Sequence, residues 1–310
     1  MRTVLLALLL SQIVLAQQPV RVEAEPEKGF HWPYYYAVPE NLPEGPVQVL
    51  VVPNNSGLLH DDLSQHEARV VKDIPFDLKH FGAPLGCVVL EPVFPRPESN
   101  WTCYTHALDR DTLLTRRPDL ERLDLQLLAM VDHLQLGRPI QKQIYIMGFS
   151  ASGMFANRFT LLHPDRVAAA AIGSPGGWPI VPAEKVADQR LRYPLGVGDW
   201  LDVTGQPFSL ERVRRVPMFF FLGDQDENDS LPFRDGYDTE DEKVADELFG
   251  ATPVARWPVA ERLYREAGCR ATFKLYPGVD HKLTLEMRDD LLEFFRNGSI
   301  EKAPAPPSRE

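Results

Sequence analysis

The sequence predicts an α/β protein, with a mostly parallel central sheet, helices on both faces and two insertions on the C-terminal side of the sheet. Three observations carry this. Short apolar runs of strand length recur at residues 47–52, 87–94, 144–147, 167–172, 216–222 and 272–276. Stretches with helical spacing of apolar residues alternate with them from about residue 120 onward. No internal repeat or interdomain linker breaks the order, so residues 17–296 read as a single domain.

The elements follow in chain order. Met1-Arg2 and an apolar run ending Val14-Leu15-Ala16 fit a secretory signal peptide cleaved after Ala16, which implies a secreted or periplasmic protein. That run is too short for a membrane span, and no later stretch is long and apolar enough to insert stably. Residues 17–29 are polar and read as loose. Residues 30–38 (FHWPYYYAV) suggest an early strand with an edge-type Pro33. Residues 47–52 (VQVLVV) are a buried strand, closed by the turn cluster Pro53-Asn54-Asn55-Ser56-Gly57. The strand at 87–94 runs into a Pro-rich loop through Trp101 and Cys103. Leu120, Leu123, Leu127, Leu128, Val131 and Leu134 form one face of a helix over 120–136, with Gly137 placed as its cap.

Beyond the strand at 167–172, residues 173–210 read as an irregular insertion. After the strand at 216–222, residues 231–257 read as a second one, its acidic run at 238–247 a solvated helix face. Pro258 opens an expected helix over 258–268, and 283–295 a closing one. The tail at 297–310 is disordered by composition.

The net charge of −11 disfavours nucleic acid and anionic membrane as partners. Three cysteines allow at most one bridge and one free thiol. Asn54, Asn100, Asn228 and Asn297 lie in N-x-S/T sequons, which matter only in a eukaryotic secretory host.

The chemistry is concentrated at residues 144–153 (IYIMGFSASG). An apolar strand runs into Gly148-Phe149-Ser150-Ala151-Ser152, and Met154, Phe155, Phe159 and Leu162 then recur at helical spacing. Strand, serine between small residues, helix is the setting of a nucleophile elbow. Ser150 would stand at the carboxyl edge of the sheet, and the Ala151 N–H would face a developing oxyanion. The usual fifth-position glycine is displaced: Ser152 stands there and Gly153 follows.

A serine nucleophile needs a base, and the base an acid that holds its tautomer. On a parallel sheet these groups belong on loops leaving the strands' carboxyl ends. The strand at 216–222 leads into Gly223-Asp224-Gln225-Asp226-Glu227-Asn228-Asp229, and the strand at 272–276 into Pro277-Gly278-Val279-Asp280-His281. Asp224-x-Asp226-x-Asn228, with Asp235 at the twelfth position, resembles the start of a calcium loop. Asp229 replaces the glycine such a loop requires, and no metal or cofactor is expected.

The order Ser150, acid, His281 makes the chain, over about residues 30–296, resemble the α/β-hydrolase fold serine hydrolases. The resemblance implies that the acid stands three residues after the glycine closing its strand, which selects Asp226 over Asp224. It also implies a second oxyanion donor from the loop after the strand at 47–52. The H-G pair often found there is missing, and Asn55 takes the position, alongside or instead of an Asx-turn.

Secreted members of this kind include feruloyl esterases, polyester depolymerases and related carboxylesterases. The implied reaction is cleavage of a small-molecule or polymeric ester through an acyl-enzyme. Phe149 and Trp178 are candidates to line an aryl or acyl pocket, with plain packing as the alternative. A serine peptidase with the same triad and a non-catalytic binding protein on this fold remain open, and oligomeric state is not readable.

Overall fold

The computed structural model describes residues 18–234 and 236–298. Residues 1–17, which include the expected signal peptide, Asp235 and residues 299–310 lie outside them.

The early strands are β1 (Val20–Val22), β2 (Tyr34–Ala37), β3 (Val49–Val51) and β4 (Val88–Pro92). Then come β5 (Ile144–Phe149), β6 (Val167–Gly173), β9 (Met218–Gly223) and β10 (Ala271–Tyr276), with a small hairpin, β7 (Lys185–Val186) and β8 (Gln189–Arg190), between them. Eight strands form one sheet in the order β1-β2-β4-β3-β5-β6-β9-β10. From β4 to β10 every pairing is parallel, and β1 and β2 add an antiparallel edge. Continuous burial along β3, β4 and β9 is what a sheet covered on both faces demands.

The principal helices are α1 (Leu63–Asp77), α2 (Leu123–His133), α3 (Ala151–Leu162), α4 (Thr239–Leu248), α5 (Pro253–Glu266) and α6 (Leu285–Asn297). Two apolar cores lie on opposite sides of the sheet. Leu127, Phe155, Phe159 and Tyr264 bring α2, α3 and α5 onto one face. Ile74, Leu291, Phe294 and Phe295 bring α1 and α6 onto the other.

Several elements differ from the sequence reading. Within the stretch expected to be loose, residues 18–29 are ordered, because the alternating Val20-Arg21-Val22 pairs with β2 and Arg21 bonds to Glu67 of α1. Helix α1 has no counterpart in the sequence pattern: its buried stripe is His66, Val70, Ile74 and Asp77, half of it polar, and Pro75 lies within it. The helix expected over 120–136 is shorter, because Arg122 takes a left-handed φ of 50° just before it. Pro258 sits inside α5; Thr252 caps that helix through the Ala255 N–H, and Pro253 takes its first turn.

The acidic run is not simply solvated. Asp238 caps α4, and buried Asp241 accepts from Arg192 Nε at 2.8 Å. Arg192 belongs to the first insertion, so this contact ties the two insertions together. Cys87, Cys103 and Cys269 are all unpaired. Among the described residues no helix is long and apolar enough to cross a membrane.

Candidate active site

The turn between β5 and α3 is as tight as its sequence suggests. A β-carbon on Gly148 would lie 2.0 Å from the Ser152 carbonyl oxygen, so only glycine fits. Ser150 has φ 62° and ψ −127°, a positive φ that a side chain resists. The strain is held by backbone bonds on both sides: Ser150 N–H donates to Gly173 O at 3.0 Å, and Met154 N–H to Ser150 O at 3.0 Å.

Ser152 explains the departure from the usual motif. Its hydroxyl donates to Phe149 O at 2.9 Å and accepts from Phe149 N–H at 3.0 Å, tying the last residue of β5 to the first turn of α3. The glycine one position later is also required. A β-carbon on Gly153 would come within 2.3 Å of Gly173 O on the neighbouring strand. Ala151, buried, is the first residue of α3, so its N–H has no acceptor within the helix.

Asp226 and His281 meet. His281 Nδ1 lies 2.9 Å and 3.1 Å from the two carboxylate oxygens of Asp226. Asp226 is buried and also accepts from Asn228 N–H at 2.9 Å. Burial opposes its ionisation, but the bonds from His281 and Asn228 outweigh burial and hold the carboxyl below its ordinary range. With Nδ1 engaged by the carboxylate, Nε2 is the nitrogen left to take a proton.

Asp224 has a different task. It is exposed and accepts from Gly278 N–H at 2.7 Å, while Gln225 N–H donates to Val279 O at 2.9 Å. These bonds clamp the acid loop to the histidine loop. Gly223 lets them approach, because a β-carbon there would lie 2.0 Å from Val279 O. Phe149 packs its ring 4.8 Å from the His281 ring, which sets the imidazole beside the residue preceding Ser150.

Asn55 lies on the loop after β3. Its side chain closes an Asx-turn on Gly57 N–H at 3.3 Å, and it lines a cavity shared with Gly148, Phe149 and Ser152. Asn54, which the sequence marks only as a turn residue and a sequon, is the anchor of that loop. It is buried, donates to Phe94 O at 2.9 Å and accepts from Phe94 N–H at 3.1 Å, so it joins the end of β3 to the end of β4. Its sequon is therefore occupied by structure. His106 Nε2 sits 2.8 Å from the same carbonyl, and burial pushes this histidine down to about 3, which keeps it neutral.

Trp178 is not a pocket residue. It is fully buried, its indole N–H donates to Leu195 O at 2.9 Å, and its ring stacks on Phe249 at 3.9 Å. It joins the two insertions. The reason is positional: the Gly176-Gly177 turn packs against Ser230, Asp229 and Leu231, so the chain that follows runs into the second insertion.

No family model matches the sequence, and no curated protein matches it. Solved structures do resemble the fold. Poly(aspartic acid) hydrolase-1 from Sphingomonas sp. KT-1 superposes with a TM-score of 0.58 at 17% identity, over 86% of this chain and 95% of that one. LpqC, a poly(3-hydroxybutyrate) depolymerase from Bordetella parapertussis, gives 0.59 at 16% identity, over 93% and 92%. The fold is that of the α/β-hydrolases.

Proposed function

We propose that this protein is a serine esterase in which Ser150 is the nucleophile, His281 the base and Asp226 the residue that orients the base. The observation that carries the reading is the conjunction of a serine at positive φ between β5 and α3 with a histidine held by a buried carboxylate beside Phe149. Ser150 Oγ attacks the ester carbonyl carbon and gives its proton to His281 Nε2. The N–H groups of Ala151 and Asn55 receive the negative oxygen. His281 returns the proton to the departing alcohol, leaving an acyl-enzyme. Water then attacks the acyl carbon, His281 takes its proton, and the acid leaves as Ser150 is restored.

Substrates with short acyl or aryl groups, or polyester chains, suit a site that carries Phe149 at its edge. Hydrolysis of p-nitrophenyl esters from acetate to long acyl chains tests this, with Ser150→Ala as the control. Activity on the short members, lost in the variant, is expected. An active Ser150→Ala protein would overturn the assignment. Faster cleavage of an aminoacyl anilide than of any ester would favour a peptidase instead.

A further inference from the structure

The loop after β3, which carries Asn55, is held from outside at two points. On one side, buried Asn54 ties it to the end of β4. On the other, Ser56 Oγ lies 2.7 Å from Nδ1 of His66 in α1. Gly57, Leu58 and Leu59 then run out into solvent, and the chain rejoins the protein at His60, whose N–H donates to Arg96 O at 2.9 Å. Among the described residues, the Ser56–His66 bond is the only hydrogen bond from residues 55–59 to another element. The Asx-turn of Asn55 and the bond from Leu58 N–H to Ser56 Oγ are internal to the loop.

His66 is a costly residue for its place unless the loop needs it. It is 0% exposed, in a helix stripe where an aliphatic side chain would be the ordinary choice. Burial holds the imidazole below its ordinary range, so the ring is neutral at pH 7. Arg96 N–H donates to its Nε2 at 3.2 Å, and His60 O lies 2.9 Å from the same atom. The ring meets that of His106 at 5.5 Å, and His106 Nε2 lies against Phe94 O, the carbonyl that Asn54 also bonds. These contacts fix the imidazole and leave Nδ1 to Ser56. An aliphatic residue would fill the stripe of α1 as well but leave Ser56 without its tie.

A backbone N–H serves an oxyanion only where its peptide is fixed, to within about 0.5 Å of the productive position. The side chains on either side of Asn55 bond to two different elements, so its peptide is pinned from both directions. We propose that His66 is a positioning residue for the oxyanion hole: through Ser56 it holds the Asn55 N–H where the negative oxygen forms. The proposal rests on the esterase reading and adds to it a part played by α1.

The test is steady-state hydrolysis of a short p-nitrophenyl ester, together with Ki for a trifluoromethyl ketone of matched length. It is run on wild type, Ser56→Ala, His66→Leu and the double variant. Ser150 Oγ adds to the ketone carbon, its proton passes to His281, and the carbonyl electron pair goes to the oxygen. The ketone's affinity therefore reads the hole without a leaving group. Ser56→Ala should lower kcat by about ten- to a hundredfold with KM nearly unchanged, because the N–H is displaced and not deleted. Ki for the ketone should rise by the same factor, while Ki for the corresponding alcohol, which places no charge in the hole, stays constant. His66→Leu should do the same, and the double variant should lose no more than the larger single. Ser56→Thr, which keeps the hydroxyl, and His66→Asn, which keeps a polar atom near the place of Nδ1, should recover most of the rate.

Unchanged kcat and ketone Ki in Ser56→Ala overturn the proposal, as do losses that multiply in the double variant. So does a fall in melting temperature alone. If His66→Leu does not fold, Ser56→Ala against Ser56→Thr carries the test, since Ser56 is a half-buried loop residue. A folded wild-type protein that cleaves no ester and binds no ketone overturns the esterase reading, and the proposal with it. An active wild type indifferent to Ser56 overturns the proposal alone.

Discussion

Ser150 stands where a β-carbon is unwelcome, and holding it there costs on the order of 1–3 kcal/mol. Gly148, Ser152 and Gly153 supply the close packing and the bonds that keep it in place. The two aspartates of the neighbouring loop divide their work by geometry, and this gives a sharp contrast. Asp226→Asn should lower kcat on a short ester by roughly 10⁴-fold, because an amide neither sets the tautomer nor balances an imidazolium. Asp224→Asn should retain most of the rate, because its amide oxygen can still accept the Gly278 N–H. Equal losses in the two variants would contradict the division.

Asp77 of α1 and Glu91 of β4, a buried pair, make a separate prediction in stability: burial pushes Asp77 up to about 7, and burial beside Asp77 pushes Glu91 well above the usual range. The folded protein keeps a proton here that the unfolded chain releases near the ordinary carboxylate range, so the unfolded state binds fewer protons from there up to about 7. Stability contributed by this pair therefore falls as pH rises through that window. Relative to wild type, Glu91→Gln should gain melting temperature between pH 4.5 and 7, as read in thermal scans. A difference that stays constant with pH would show that the pair does not titrate there.

Single residues were legible where their chemistry was local. Ser150 announced itself by its neighbours, and His281 by the strand before it. Asn54, Asp77 and Glu91 did not, because each matters only through a partner brought near by the fold: Phe94 lies 40 positions from Asn54, for example.

The elements show the same division. Strands β3, β4, β5, β6 and β9 were readable because a sheet buried on both faces writes continuous apolar runs. Helix α1 was not, because His66 and Asp77 occupy its buried stripe. Trp178 was open between pocket lining and plain packing because a loop at a strand's carboxyl end suggests a site, and it packs because this loop is roofed by the second insertion.

Trp178→Ala should cost about 3–5 kcal/mol in denaturant unfolding, as an emptied aromatic site does, with little change in the acyl-chain profile of the remaining folded enzyme. A changed profile at unchanged stability would restore it to the pocket. Gly153→Ala should lower both stability, by about 1–3 kcal/mol, and kcat, because its methyl group pushes α3 away from β6 and moves Ser150 with it. Unchanged kinetics and melting temperature in Gly153→Ala would show that the contact is slack.

At the scale of the molecule, the parallel run from β4 to β10 delivers four loops to one edge of the sheet. β5 brings the serine, β9 the acid and β10 the histidine, and β3 brings the loop anchored by Asn54. The chain order of these groups was legible; the lateral order of the strands and the cavity under α1 were not, since both depend on how distant segments pack. Of the antiparallel edge, β2 was legible as the early strand at 30–38, whereas β1 was hidden, because a three-residue strand with charged neighbours leaves almost no pattern.

The central claim is that this architecture activates one serine. The most direct measurement is reaction of the folded protein with diethyl p-nitrophenyl phosphate, following p-nitrophenolate release and mapping the adduct by peptide mass spectrometry. Ser150 Oγ should displace p-nitrophenolate from phosphorus, giving one diethylphosphoryl group per chain on the peptide that contains Ser150, and His281→Ala should slow the labelling severely. A folded protein that stays unlabelled, or carries its label on another residue, would contradict the account.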